Sequence, residues 1–130
     1  MPGPQIVVID DEVEVRQLWV DTLRRAGYAV EGFALGGEAL ARLPELRPDL
    51  ILLDMIMPEM DGYEFLARLR ANPDSARVPL LIVSGLGEFL SGAIDERGAA
   101  TMGVAAILAK PVDLPALVER VRLIVGPPRR

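Results

Sequence analysis

The sequence predicts an α/β fold: a doubly wound, five-stranded parallel sheet with helices on both faces. Three observations carry that expectation. Four short apolar runs, Ile6–Ile9, Leu50–Leu53, Leu80–Val83 and Ala105–Ala109, read as strands covered on both sides. Each run ends on polar chemistry: Asp10-Asp11, Asp54, Ser84 and Lys110 in turn. Helical periodicity fills the intervals, so strand and helix alternate five times, the pattern of a parallel sheet with crossover helices. The carboxyl edge of such a sheet is where ligands bind.

The elements are justified in chain order. After Ile6–Ile9, a helix is expected from about Val13 to Ala26, with Val15, Leu18, Trp19, Leu23 and Ala26 on its apolar side and Gly27 as its stop. Trp19 is expected to pack at the surface against the last helix; the alternative is a place on a docking face. Tyr28–Phe33 is a more mixed strand and is assigned to an edge. A short helix spans Gly36–Leu43, and Pro44 and Pro48 break the chain beyond it. The strand Leu50–Leu53 leads to a helix from about Asp61, with Phe65, Leu66 and Leu69 facing inward. Asn72-Pro73-Asp74-Ser75 is a turn, and Pro79 opens the next strand. A glycine-punctuated stretch holds a helix from about Phe89 to Met102. Asp113 caps the last helix, which runs to about Val125 with Leu117, Val118, Val121, Leu123 and Ile124 as its apolar residues.

One domain is expected over residues 5–125 of the 130, with short tails at 1–4 and 126–130. The chain has no cysteine and no histidine. Disulfides, thiolate or imidazole metal sites and imidazole bases are therefore excluded. A net charge of −5 argues against nucleic acid as a direct partner. The amino-terminal residues lack a basic segment followed by a long apolar run, so no secretory signal is read. No apolar run approaches the ~20 residues needed to span a bilayer. No membrane association and a cytoplasmic location are expected.

Asp10, Asp11 and Asp54 at one sheet edge would bring three like charges together, and a divalent cation relieves that repulsion. All-oxygen ligation points to Mg²⁺, with Mn²⁺ as an alternative. The competing reading of Asp10-Asp11, a helix cap with a first-turn acid, leaves the other strand-end polar residues unaccounted for. Asp54 is the candidate nucleophile, since aspartate carboxylates form aspartyl-phosphates. Lys110 is positioned to pair with an acid or a phosphoryl oxygen, and Ser84 to donate a hydrogen bond to that group.

Ile9-Asp10-Asp11-Glu12, Asp54 with Met57-Pro58-Glu59-Met60-Asp61-Gly62, Ser84-Gly85 and Lys110-Pro111 resemble, in this order, the receiver domain of two-component response regulators, in particular single-domain chemotaxis-type regulators. Intervals of 43, 30 and 26 residues separate Asp11, Asp54, Ser84 and Lys110. The resemblance covers about residues 5–125. It implies the flavodoxin-like strand order 2-1-3-4-5 with five helices. It also implies that Asp54 is the phosphoacceptor and Asp11 a direct Mg²⁺ ligand, with Asp10 acting mainly through water. The Ile56 backbone carbonyl is then a further ligand, Ser84 the switch hydroxyl and Lys110 the phosphoryl contact. The implied donor is a sensor histidine kinase or histidine phosphotransfer protein, and the output is modulation of an unidentified downstream protein. Catalysis would be limited to the domain's own Mg²⁺-dependent phosphorylation and dephosphorylation, so the chain is not expected to be an enzyme.

Three features depart from the family pattern. Ile107 stands where an aromatic residue often partners the switch hydroxyl. Ile56 and Leu86 are apolar at positions flanking the attacking water, which predicts a long-lived phosphoryl group; an unchanged lifetime in Ile56→Asn would refute this. The span between Ser84 and Lys110 is glycine-rich, which disfavours a long helix there. Two other classes fit less well. A haloacid-dehalogenase-type phosphatase needs an acid two residues after its nucleophile, where this chain has Ile56. A flavin-phosphate binder would meet the repulsion of Asp10-Asp11-Glu12.

Overall fold

The computed structural model describes residues 4–54, 62–73, 75–84, 104–109 and 112–128. The strands are β1 (Gln5–Ile9), β2 (Ala29–Phe33), β3 (Leu50–Leu53), β4 (Leu80–Ser84) and β5 (Val104–Ala109). The helices among the described residues are α1 (Val13–Arg25), α2 (Gly36–Leu46), α3 (Gly62–Ala71) and α4 (Leu114–Val125). The further helix expected at about Phe89–Met102 lies outside the described residues. All strand pairings are parallel, in the order β2-β1-β3-β4-β5. The expected sheet and its order are present, with β2 at an edge.

Alternation along each central strand divides the core into two layers. Val7, Ile9, Ile51, Leu53, Leu80 and Ile82 pack with Ala39 and Leu43 of α2 and Phe65, Leu66 and Leu69 of α3. Ile6, Val8, Leu50, Leu52, Leu81 and Val83 pack with Trp19, Val20 and Leu23 of α1 and Leu117 and Val121 of α4. These twelve strand residues are all fully buried. Continuous apolar runs are therefore required here, because both faces of each strand are covered.

In β5 the alternation breaks. Leu80 pairs with Val104, but Leu81 pairs with Ala106, so Ala105 is an extra residue. Val104 belongs to the α2–α3 layer, whereas Ala106 and Leu108 belong to the α1–α4 layer. A one-residue bulge flips every later side chain to the opposite face.

The helices refine four sequence expectations. Pro44 lies inside α2, and the helix runs on to Leu46. Proline lacks the N–H that would bond the Leu40 carbonyl, but only one bond is lost in the final turn. The buried Leu43 and partly buried Leu46 hold that turn to the sheet. The helix ends at Arg47, in the left-handed region at φ 46°, with its N–H donating to the Leu43 carbonyl at 2.8 Å. Trp19 shares the layer of Leu117 and Val121 of α4, as expected of a residue packed with the last helix, but at 3% exposure it lies in the core and not at the surface or on a docking face. Leu18 and Leu123 are exposed instead of buried. Each lies two residues, about 200°, from a buried position, Val20 or Val121, and so turns to the opposite side of its helix.

Candidate functional site

The site begins with register. Ile9 of β1 pairs with Leu53 of β3, so the next residues, Asp10 and Asp54, leave adjacent central strands at the same level. The Asp54 N–H donates to the Ile9 carbonyl at 3.0 Å, and the Asp10 N–H donates to the Phe33 carbonyl at 3.0 Å. Three strands thus anchor the two acids. Asp10 and Asp54 are buried, at 0% and 4% exposure, while Asp11 is exposed.

One oxygen from each of Asp10, Asp11 and Asp54 lies within 4.8 Å of the others. That separation is comparable to the distance between opposite ligands of an octahedral Mg²⁺, about 4.2 Å. The donors are hard carboxylate oxygens. The cluster therefore fits a small divalent cation of the Mg²⁺ type by its donor chemistry. Two buried carboxylates and a third beside them also carry a strong repulsion that a cation would offset.

Asp10 does structural work as well. Its Oδ1 accepts from the Glu12 N–H at 2.8 Å, and its carbonyl accepts from Arg16 Nη1 at 2.7 Å. Glu12, not Asp10, is the N-cap of α1, and it makes no side-chain cap bond. The helix-cap reading of the acid pair is thus replaced by a loop brace. Arg16 was not among the candidate residues from sequence. Its signal is a cation near a helix N-terminus, where the helix dipole disfavours positive charge.

Ser84 ends β4 and pairs with Ala109 of β5, which places it at the same carboxyl edge. Lys110 follows Ala109 directly but lies outside the described residues, as do Pro111, Ile56 and Leu86. The structure therefore brings Asp10, Asp11 and Asp54 together and sets Ser84 on their edge by register.

A doubly wound parallel sheet with an acidic cluster at the carboxyl ends of its central strands defines an α/β domain suited to holding a cation and an anionic group. The response regulator receiver domain family matches residues 6–122, and the chain belongs to that family. It is 30% identical over 126 residues to the polar-differentiation response regulator DivK of Brucella anthropi, covering 97% of this chain and 98% of DivK. It is 33% identical over 122 residues to the DNA-binding dual master transcriptional regulator RpaA of Synechocystis, covering 94% of this chain. The chain spans only 49% of the length of RpaA, and curated relatives of this kind extend well beyond it. The chemotaxis protein CheY4 of Vibrio cholerae superposes with a TM-score of 0.81 at 29% identity, covering 93% of this chain and 98% of that one. Receiver domains serve phosphorylation-dependent signalling, working with histidine kinases and downstream effectors. No described helix is long and apolar enough to cross a membrane.

Proposed function

We propose that this domain accepts a phosphoryl group on Asp54 from a sensor histidine kinase or a histidine phosphotransfer protein, and that the modified domain modulates a downstream protein. The observation that carries this reading is the convergence of Asp10, Asp11 and Asp54 at one sheet edge. An Asp54 oxygen attacks phosphorus, the phosphorus–nitrogen bond of the donor phosphohistidine breaks, and the imidazole leaves with a proton. Asp10, Asp11, Asp54 and the backbone carbonyl of Ile56 would hold Mg²⁺, or Mn²⁺ in its place, which when bound would supply positive charge against the phosphoryl oxygens. The Lys110 ammonium and the Ser84 hydroxyl contact those oxygens and favour the phosphorylated arrangement, a population shift between two states. The domain's chemistry is confined to its own phosphorylation and dephosphorylation. It acts in the cytoplasm through protein partners, without direct nucleic-acid or membrane binding.

The test is incubation with acetyl phosphate and Mg²⁺, read by intact mass. Here acetate, not imidazole, is the leaving group. A gain of one phosphoryl group, absent in Asp54→Asn and in the presence of excess chelator, is expected. No gain with acetyl phosphate or with a phosphohistidine donor would reduce the domain to a docking module.

A further inference from the structure

Asp10 is held from three directions. Its N–H donates to the Phe33 carbonyl of β2. Its carboxylate accepts from the Glu12 N–H. Its carbonyl accepts from Arg16 Nη1 at 2.7 Å, shorter than the typical 2.9–3.0 Å of an N–H···O bond. The first bond joins backbone groups that any sequence provides, and the second is made by the Asp10 carboxylate itself. The third depends on one side chain.

Arg16 reaches Asp10 along a path that the sequence keeps clear. Its stem runs beside Gly32 in β2. A Cβ built at Gly32 would come to 3.3 Å from Arg16 Cγ, 3.4 Å from Arg16 Cδ and 3.0 Å from Val20 Cγ2. Gly32 has no left-handed backbone that would call for glycine, because the positive-φ glycines described are Gly27 and Gly126. Space is what glycine provides here. β2 otherwise reads as an ordinary strand, with Val30 and Phe33 facing the core layers.

We propose that Arg16 is a positioning residue for the acidic cluster: its guanidinium, carried past Gly32, holds the Asp10 carbonyl and thereby aims the Asp10 and Asp11 carboxylates. The Asp10 carbonyl belongs to the peptide that joins Asp10 to Asp11. Fixing that oxygen fixes the plane of the peptide, and with it the direction in which the chain carries Asp11. Residues that orient metal-binding carboxylates from behind act on affinity without touching the ion. Gly32 is the second half of the device, since a Cβ there would crowd Val20 Cγ2 at 3.0 Å and press on Arg16 Cγ at 3.3 Å, so that the stem must give by a few tenths of an ångström. This deepens the phosphoacceptor reading above and rests on it for the cation.

Five proteins test the proposal: wild type, Arg16→Met, Arg16→Lys, Gly32→Ala and the Arg16→Met/Gly32→Ala double variant. Methionine keeps a flexible apolar stem and removes the guanidinium. Mg²⁺ alone is titrated by calorimetry, and amide hydrogen exchange is followed at Asp11 and Glu12. Circular dichroism and thermal melts establish that each variant is folded. Arg16→Met is expected to weaken Mg²⁺ binding about tenfold or more and to speed exchange at the Glu12 amide. Gly32→Ala is expected to shift both readouts in the same direction by less. The double variant is expected to match Arg16→Met, because the two residues act through one bond. Arg16→Lys, which keeps charge but not the planar fork, is expected to rescue only in part. A folded Arg16→Met protein with wild-type Mg²⁺ affinity and wild-type exchange would overturn the proposal. Wild-type protein that fails to bind Mg²⁺ would overturn the metal reading instead, and the exchange data alone would then decide the Arg16 brace.

Discussion

The pair β1–β3 and the pair β4–β5 occupy one sheet but are built differently. Ile6–Ile9 and Leu50–Leu53 pair in unbroken register, every residue is fully buried, and the next residue of each strand is an acid of the cluster. The pair β4–β5 carries a bulge at its start, Ala105 of β5 is exposed, and its later residues exchange core layers. The difference separates two tasks. Like charges are gathered by strands that no slip can move, since a one-residue slip would turn a fully buried layer inside out. The side that ends in Ser84 carries its irregularity in the lower part of the strand pair, away from the carboxyl edge. The same contrast predicts where the fold is sensitive and where it is tolerant.

Truncation should expose the contrast first and most strongly. Leu52 has no exposed surface and packs between the central strands and the α1–α4 layer. Leu52→Ala is expected to cost about 2–5 kcal/mol, the range for a buried leucine that leaves a cavity. Val104 is 8% exposed and sits on the edge strand beside the bulge. Val104→Ala removes less buried surface and is expected to cost about 1 kcal/mol. Urea unfolding of both variants checks the ranking. Equal losses would mean that the bulged edge is as tightly specified as the centre.

The acids themselves give a second, smaller effect. Gathering Asp10, Asp11 and Asp54 is expected to weaken the cation-free fold by like-charge repulsion, and a cation bound only to the native state stabilises it in return. At a Mg²⁺ concentration about a hundredfold above its Kd, the expected gain is about 2.7 kcal/mol. Asp11→Asn is expected to lose most of that gain while melting at or above the wild-type temperature without Mg²⁺. Asp11 suits this test because its side chain is exposed and fills no core space. Thermal melts with and without Mg²⁺, in both proteins, provide the check. A drop in the metal-free melting temperature would show that Asp11 holds the loop by contacts of its own.

Much of this was legible in the sequence because burial on both faces leaves an unmistakable apolar run. Leu50–Leu53 emerged at its observed bounds, and Asp113 caps α4 with its carboxylate accepting from the Ala116 N–H at 3.1 Å. The acidic cluster was legible because strand ends in a parallel sheet converge. What escaped depended on partners distant in sequence or on small phase errors. Leu18 and Leu123 count as apolar at helical spacing, but 100° per residue carries them past the edge of the buried stripe. Pro44 ordinarily signals a break, and packing by Leu43 and Leu46 overrides it. The bulge at Ala105 left no mark in an alanine-rich strand. Arg16 escaped because its partner is a backbone carbonyl, so that a cation near a helix start was the one sign of it.

The opposite edge of the sheet sharpens the comparison further. The start of β2 is tied by a side chain to the residues that follow α4. The Tyr28 hydroxyl, just before β2, donates to the Gly126 carbonyl at 2.8 Å, although the two residues stand 98 positions apart. Gly126 turns the chain at φ 86°, and Pro128 then lies against Gly27, where a Cβ would come within 2.9 Å of it. Gly126 and Pro128 thus pack against Tyr28 and Gly27, just before β2. Burial raises the Tyr28 phenol above its ordinary value, with Arg122 opposing and Glu119 reinforcing the shift. A raised value means that the fold prefers the protonated phenol. Its contribution is fully present below about pH 10, the unfolded value, and is lost as pH rises through the higher folded value. Tyr28→Phe keeps the ring, loses the bond, and is expected to cost about 0.5–1.5 kcal/mol at neutral pH. Its deficit relative to wild type should shrink above pH 10, where wild type loses the same bond. A deficit that stays constant from neutral pH through the alkaline range would assign the cost to packing of the ring and not to the hydrogen bond that ties this edge to α4.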